Sequence, residues 1–353
     1  MPLDGTVIAN ICHELNNTVA GGRVEKIYQP EADELVMTIR SRGASHRLLL
    51  SASASHPRLH LIGDAKTNPP EPPAFCMVLR KHLNGARLSN ITQPGFERIA
   101  AVTFEALNEM GDYSEKKLIV EMMGKHSNII LTDAHMTIID SIKRVSRAMS
   151  SVREVLPGRG YVSPPSGNKK DASVMTRDEI YAALARVSDE SLQKLQLYRT
   201  VMDSFNGISP AAASELCARA GADASSYDCD PETLKKISTA VAGLFTQING
   251  GEFYPQIVCN GGGEAADFTS APFVVYGANQ KKEYASVSLM LADYYAAKDR
   301  DTRDAQRSAD LKRLIAQNIE RLAKKLDAQR GEMEELNGRD RLRLYGELIT
   351  ANI

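Results

Sequence analysis

The chain has 353 residues, 43% of them hydrophobic and 25% charged, with a formal net charge of −1. That length allows two or three domains, each with its own core, and the charge balance excludes a uniformly basic nucleic-acid coat while leaving room for a local basic patch. No run approaches the roughly 18 consecutive apolar residues of a membrane span, and no secretory pattern opens the sequence, so a cytoplasmic protein without membrane contact is expected.

In chain order, Val7, Ile8, Ile11, Cys12, Leu15 and Val19 share one helical face behind Asp4, which stands where an N-cap should be. The spacing predicts a helix from about residue 4 to 20, ended by Gly21 and Gly22. The runs "RVEKIYQ", "ELVMTIRS" and "HRLLLSAS" then read as antiparallel strands. A second helix carries Phe75, Val78, Leu79 and Leu83 on one stripe and stops at Gly85. Further strands are predicted in "ERIAAVTFEA", "KKLIVEMM", "NIILTD" and "TIIDSI".

Helix, strands, helix, strands defines an α+β domain. From residue 150 to 173 the text is rich in Pro, Gly and Ser and reads as a linker or extended arm, closing a first domain over 1–174. Residues 175–250 are helix-forming, and 251–296 form a small mixed segment completing the N-terminal region. In 297–353, Ile315, Ile319, Leu322, Leu326, Gln329, Met333 and Leu336 alternate spacings of four and three, a heptad seam. One strand of such a seam cannot bury itself, so either another chain or a returning helix should supply its partner.

Enzyme constellations are not readable. GxxxxGK[ST], HExxH and GxSxG are absent, and five scattered cysteines form no CxxC or CxH pair. His56 and His60 are four apart on what reads as strand or turn, where that spacing does not bring side chains together. No metal site, cofactor or catalytic residue is assigned. Pro2, once the initiator Met is removed, could be a secondary-amine nucleophile of the kind some DNA glycosylases use, but the acid those enzymes place next is Leu3 here.

Binding signals are clearer. Glu97 and Arg98 stand at the entry to a strand, where a regular pleat would point them to opposite faces. Lys125 follows Gly124 between two strands, and Lys143, Arg144, Arg147, Arg153 and Arg159 outnumber Glu154 in a basic stretch suited either to RNA phosphate or to solvent. "FNGISPAAASELCARAG" resembles a helix-hairpin-helix, in which Gly207 would expose backbone N–H groups to phosphate; an ordinary helical hairpin needing Gly207 for its turn fits the same letters.

Taken together, "LDG…HELN…GGRVEKIYQP…DELVMTIRS", "PPAFCMVLRKHLNGARL", "GFERI", "IVEMMGKHSNIILTD" and "LRLYGELITAN" resemble the NFACT family along the whole chain. The resemblance implies a glycosylase-like N-terminal domain, a helix-hairpin-helix domain and the first part of a coiled-coil arm, the rest of that arm and a C-terminal domain being absent. It also implies a ribosome-associated quality-control factor. Such a factor binds obstructed large ribosomal subunits, rRNA and ribosomal proteins, carrying peptidyl-tRNA. It recruits alanyl-tRNA for template-free alanine tailing of the stalled chain, and the ribosome makes the bond. Asp4 and Arg98 match residues the family uses for tRNA; Glu97 departs from the usual Asp by one methylene. The rival expectations are a fibronectin-binding surface adhesin and a glycosylase or abasic lyase acting through Pro2.

Overall fold

Alternating apolar residues with two-residue period make the sheet, and the 3.6-residue stripes make the helices that cover it. The computed structural model describes residues 3–64, 66–107, 111–190, 195–277 and 280–353, without the side chains of 297, 299–310 and 337. Pro2 lies outside the described residues. Helix α1 (Gly5–Thr18) precedes a meander of β1 (Arg23–Glu31), β2 (Glu34–Ser41), β3 (Ala44–Ser51) and β4 (Arg58–Ile62). Helix α2 (Ala74–Leu83) precedes a second meander, β5 (Arg87–Thr92), β6 (Ile99–Leu107), β7 (Tyr113–Glu121), β8 (Asn128–Asp133) and β9 (Ile138–Ser141). The meanders join edge to edge through β1 and β5, giving one nine-stranded antiparallel sheet in the order β4-β3-β2-β1-β5-β6-β7-β8-β9.

One face of this sheet is buried under α1 and α2. Val7, Ile8, Ile11 and Leu15 of α1 and Phe75, Cys76, Leu79 and Leu83 of α2 meet Met37, Leu48, Val102, Phe104, Leu118 and Leu131 in a single core. On the opposite face Ile99, Ile119, Ile130 and Ile138 form a smaller cluster with Val155. That cluster corrects the reading of 150–173 as an extended arm. Val145 and Val155 bridge each other antiparallel, Thr137 bridges Gly160, and the segment folds onto the sheet because Val155 and Tyr161 are apolar anchors within its polar text. Strand β5 was not anticipated either: "RLSNIT" has a bulge between Leu88 and Asn90, which breaks the alternation a strand is recognised by.

Helices α3 (Arg177–Glu190), α4 (Leu197–Ser204), α5 (Pro210–Arg219) and α6 (Pro231–Asn249) enclose a second core. A three-stranded sheet of β10 (Gln256–Cys259), β11 (Ala265–Thr269) and β12 (Lys281–Glu283), ordered β11-β10-β12, ties the two cores together. Its Ile257 and Phe268 belong to the first core, while Ala271 and Phe273 just beyond it belong to the second. Helix α7 (Val287–Ala351) adds Val287, Met290, Leu291, Tyr294 and Tyr295 to the first core. Residues Met1–Tyr295 thus form one compact unit and Ala296–Ile353 another. In the latter, Ile315, Ile319, Leu322, Leu326, Met333 and Leu336 of the heptad seam are all exposed on α7.

Candidate functional site

Three backbone segments converge where the first core meets the second. Asp4 is the N-cap of α1, its Oδ1 accepting from Thr6 N at 3.0 Å and Val7 N at 3.2 Å. Its Oδ2 accepts from the Ser209 hydroxyl at 2.7 Å. Ser209 in turn is the N-cap of α5, accepting from Ala212 N at 3.2 Å, with Pro210 at the first helical position. One carboxylate therefore couples two helix N-termini, whose orphan N–H groups and dipoles favour negative charge. Burial nonetheless raises the Asp4 carboxyl to about 6 against the pull of Ser209, Val7 and Thr6, with the Asp267 charge adding to the rise.

The third segment is the turn before β6. Gln93 donates its amide to Gly5 O and to Glu97 O, both at 2.9 Å, and Asn206 donates to Gly95 O at 3.1 Å. Gly95 and Phe96 both lie in the left-handed region, at φ 61 and 54. For Phe96 this is strained, and it is held by edge-to-face packing on Phe245 at 4.7 Å. Gly207, at φ +68, closes the junction, its carbonyl accepting from Gly5 N at 2.7 Å. A Cβ there would sit 2.1 Å from Phe96 O. Gly207 is therefore a point of close backbone approach.

The consequence is a cleft of about 330 Å³ lined by Asp4, Glu97, Arg98, Lys169, Asn206, Gly207 and Ser209 among others. The expectation that Glu97 and Arg98 point to opposite faces is corrected. They precede β6, which begins at Ile99, and the left-handed turn brings both to the same cleft. Partial burial raises the Glu97 carboxyl above its usual range, opposed by the neighbouring Arg98 and Lys169 cations. The cleft so combines two helix N-termini and two cations with two carboxylates. A phosphate and a hydrogen-bonding base edge can both find partners in it.

The other sequence candidates fall elsewhere. Lys143 donates to Ala52 O, and its ammonium is held below its usual range by burial. Arg144 is bidentate to Asp140 at 3.0 and 3.1 Å. Arg153 clamps the fully buried Glu121 and also donates to Val162 O. These three have internal partners because the stretch that carries them is folded rather than extended. Lys125 and Arg147 are exposed and do not line the cleft. His60 is buried in β4, its imidazole pushed down to about 3 by burial and by Arg58, while His56 packs on Tyr295.

Ser209, Lys169 and Asn206 were missed by sequence reasoning. For Ser209 a signal existed, since Ser-Pro ahead of "AAASELCAR" is an N-cap followed by proline at N1. For Lys169 and Asn206 there was none, because each gains meaning only from a segment distant in sequence. Ser209→Ala removes the α5 cap and the donor to Asp4. It is expected to cost about 1 kcal/mol of stability, read as a lowered urea midpoint.

An antiparallel sheet domain joined to a helical domain through this cleft matches a known class. The family model described as NFACT N-terminal and middle domains matches residues 4–353, and the chain belongs to the NFACT family. Rqc2 homolog RqcH of Bacillus subtilis (strain 168) is 36% identical over 354 residues, covering 100% of this chain and 59% of that protein. The archaeal Rqc2 homolog aRqcH of Methanocaldococcus jannaschii is 29% identical over 81% of this chain and 41% of its own length. Among solved structures, the N-terminal part of the fibronectin/fibrinogen-binding protein from Streptococcus suis is 31% identical with a TM-score of 0.67, covering 83% of this chain and 99% of that one. The chain thus spans about 59% of the Bacillus relative it matches.

Proposed function

We propose that this chain is the N-terminal part of a ribosome quality-control factor that recruits tRNA through the cleft between its two cores. The observation that carries the reading is the convergence of Asp4, Glu97 and Arg98 in one cavity, in a chain whose curated relatives are Rqc2 homologs. In this reading the factor binds an obstructed large ribosomal subunit carrying peptidyl-tRNA and brings in alanyl-tRNA. The stalled chain is then extended with alanine and marked for degradation.

The cleft's chemistry suits positioning rather than bond making. Arg98 and Lys169 offer charge to an RNA backbone, the N-termini of α1 and α5 reinforce it, and Glu97 and Asp4 accept from base or ribose donors. The peptide bond itself would form in the ribosome. The exposed seam from Ile315 to Leu336 is read as one strand of a coiled coil whose partner helix completes the arm.

Arg98→Ala tests the reading. It is expected to weaken tRNA binding about tenfold, the magnitude of one charge-assisted contact, in a protein that remains folded by circular dichroism. Unchanged affinity in a filter-binding assay would remove the cleft from tRNA recruitment.

A further inference from the structure

A second cavity, of about 420 Å³, lies on the outer face of the sheet. Ile99 and Ala101 of β6 and Ile119 of β7 line it with apolar side chains beside Thr103, and Tyr161 lines it too. Tyr161 is held in place: its hydroxyl donates to Glu121 Oε1 at 2.9 Å, and Glu121 is itself clamped by Arg153. Asn90 and Thr92 of β5 supply an exposed amide and hydroxyl at the rim.

This cavity and the cleft are lined by neighbouring residues of the same two segments. Arg98 lines the cleft and the next residue, Ile99, lines the cavity; Pro165 and Ser166 line the cleft and Ser163 the cavity. The two therefore adjoin at the entry to β6 and again along residues 163–166, so an RNA strand bound at Arg98 has the cavity as its neighbour. The cation of the cavity, Lys117, is already paired with Glu115 at 3.1 Å. A phosphate or a charged peptide side chain therefore gains little there. A flat, uncharged group with hydrogen-bonding edges gains apolar contacts from Ile99 and Ile119, an ordered aromatic ring and the neutral partners Asn90 and Thr92.

We propose that this cavity is an RNA subsite that receives one unstacked nucleobase of the strand bound at Arg98 and Lys169; it rests on the tRNA reading above. Stacking against an aromatic ring is tolerant of base identity, and the rim amide and hydroxyl read the edge.

The test uses tRNA carrying 4-thiouridine, irradiated on the unmodified chain, with peptide mapping of the adducts, beside filter binding of Thr92→Trp and Asn90→Trp, which fill the cavity from exposed strand positions. Adducts within 133–163 and about tenfold weaker binding by either Trp variant are expected. Adducts absent from that segment and unchanged affinity in both variants, with Arg98→Ala still weakening binding, would overturn the subsite and leave the cleft reading standing. Unchanged affinity in all three variants, without those adducts, would overturn both.

Discussion

Gly207→Ala is expected to destabilise the protein by about 4 kcal/mol, a large share of the roughly 5–15 kcal/mol that holds an ordinary domain folded. Two independent penalties meet at this residue. At φ +68 a side chain is in the left-handed region, which costs roughly 1–2 kcal/mol for an L-residue. Its Cβ would also fall 2.1 Å from Phe96 O, 2.9 Å from the Phe96 ring and 3.0 Å from Gly5 Cα. Two of those three neighbours are backbone atoms that no rotamer change can move, so overpacking adds about 1–3 kcal/mol. Gly221 supplies the control, because its φ is +71 but nothing lies within 4 Å of its Cβ position. Gly221→Ala should therefore show the conformational penalty alone, about 1 kcal/mol. Equal urea midpoints for the two variants would mean that the junction of the three segments relaxes freely.

That junction also marks what could be read from the letters. Helices α1 and α2 and most of the first sheet were legible, because their apolar periods of 3.6 and 2 run uninterrupted over long stretches. The bulged β5 and the folded segment around Val155 were not, since the burial that orders them comes from strands paired across the sheet. At the site, Asp4 was legible as a cap from local pattern alone, and the expectation that it, Glu97 and Arg98 contact tRNA came only through the family resemblance. Their meeting in one cleft depends on Gly95 and Phe96 adopting positive φ. A glycine announces that conformation in sequence, but a phenylalanine does not. Lys169 and Asn206 reach the cleft from segments more than 70 residues beyond Arg98, and no local rule connects them to it.

Asp4→Asn is the variant expected to separate stability from binding. The folded-state pKa of about 6 lies above the ordinary aspartate value of 3.8, so between about pH 4 and 6 the native state holds a proton that the unfolded chain has lost. The stability this group contributes is thus greatest at low pH and falls as pH rises through that window, by about 3 kcal/mol at roughly 1.4 kcal/mol per unit. Asn cannot titrate, yet it caps a helix as well as Asp does, and its amide oxygen can keep accepting from Thr6 and Val7. The variant should be at least as stable as the parent at pH 7 and lose that advantage by about pH 4, measured as the difference between their urea midpoints across pH. A difference that is flat from pH 4 to 7 would show that Asp4 titrates like an exposed carboxyl. A neutral cap would hold α1 without the burial penalty, so a carboxylate here points to the cleft it lines with Arg98, where the proposed function has it accept from base or ribose donors of a tRNA. Loss of tRNA binding by Asp4→Asn at full stability is the expected result, and retained binding would reduce Asp4 to a helix cap.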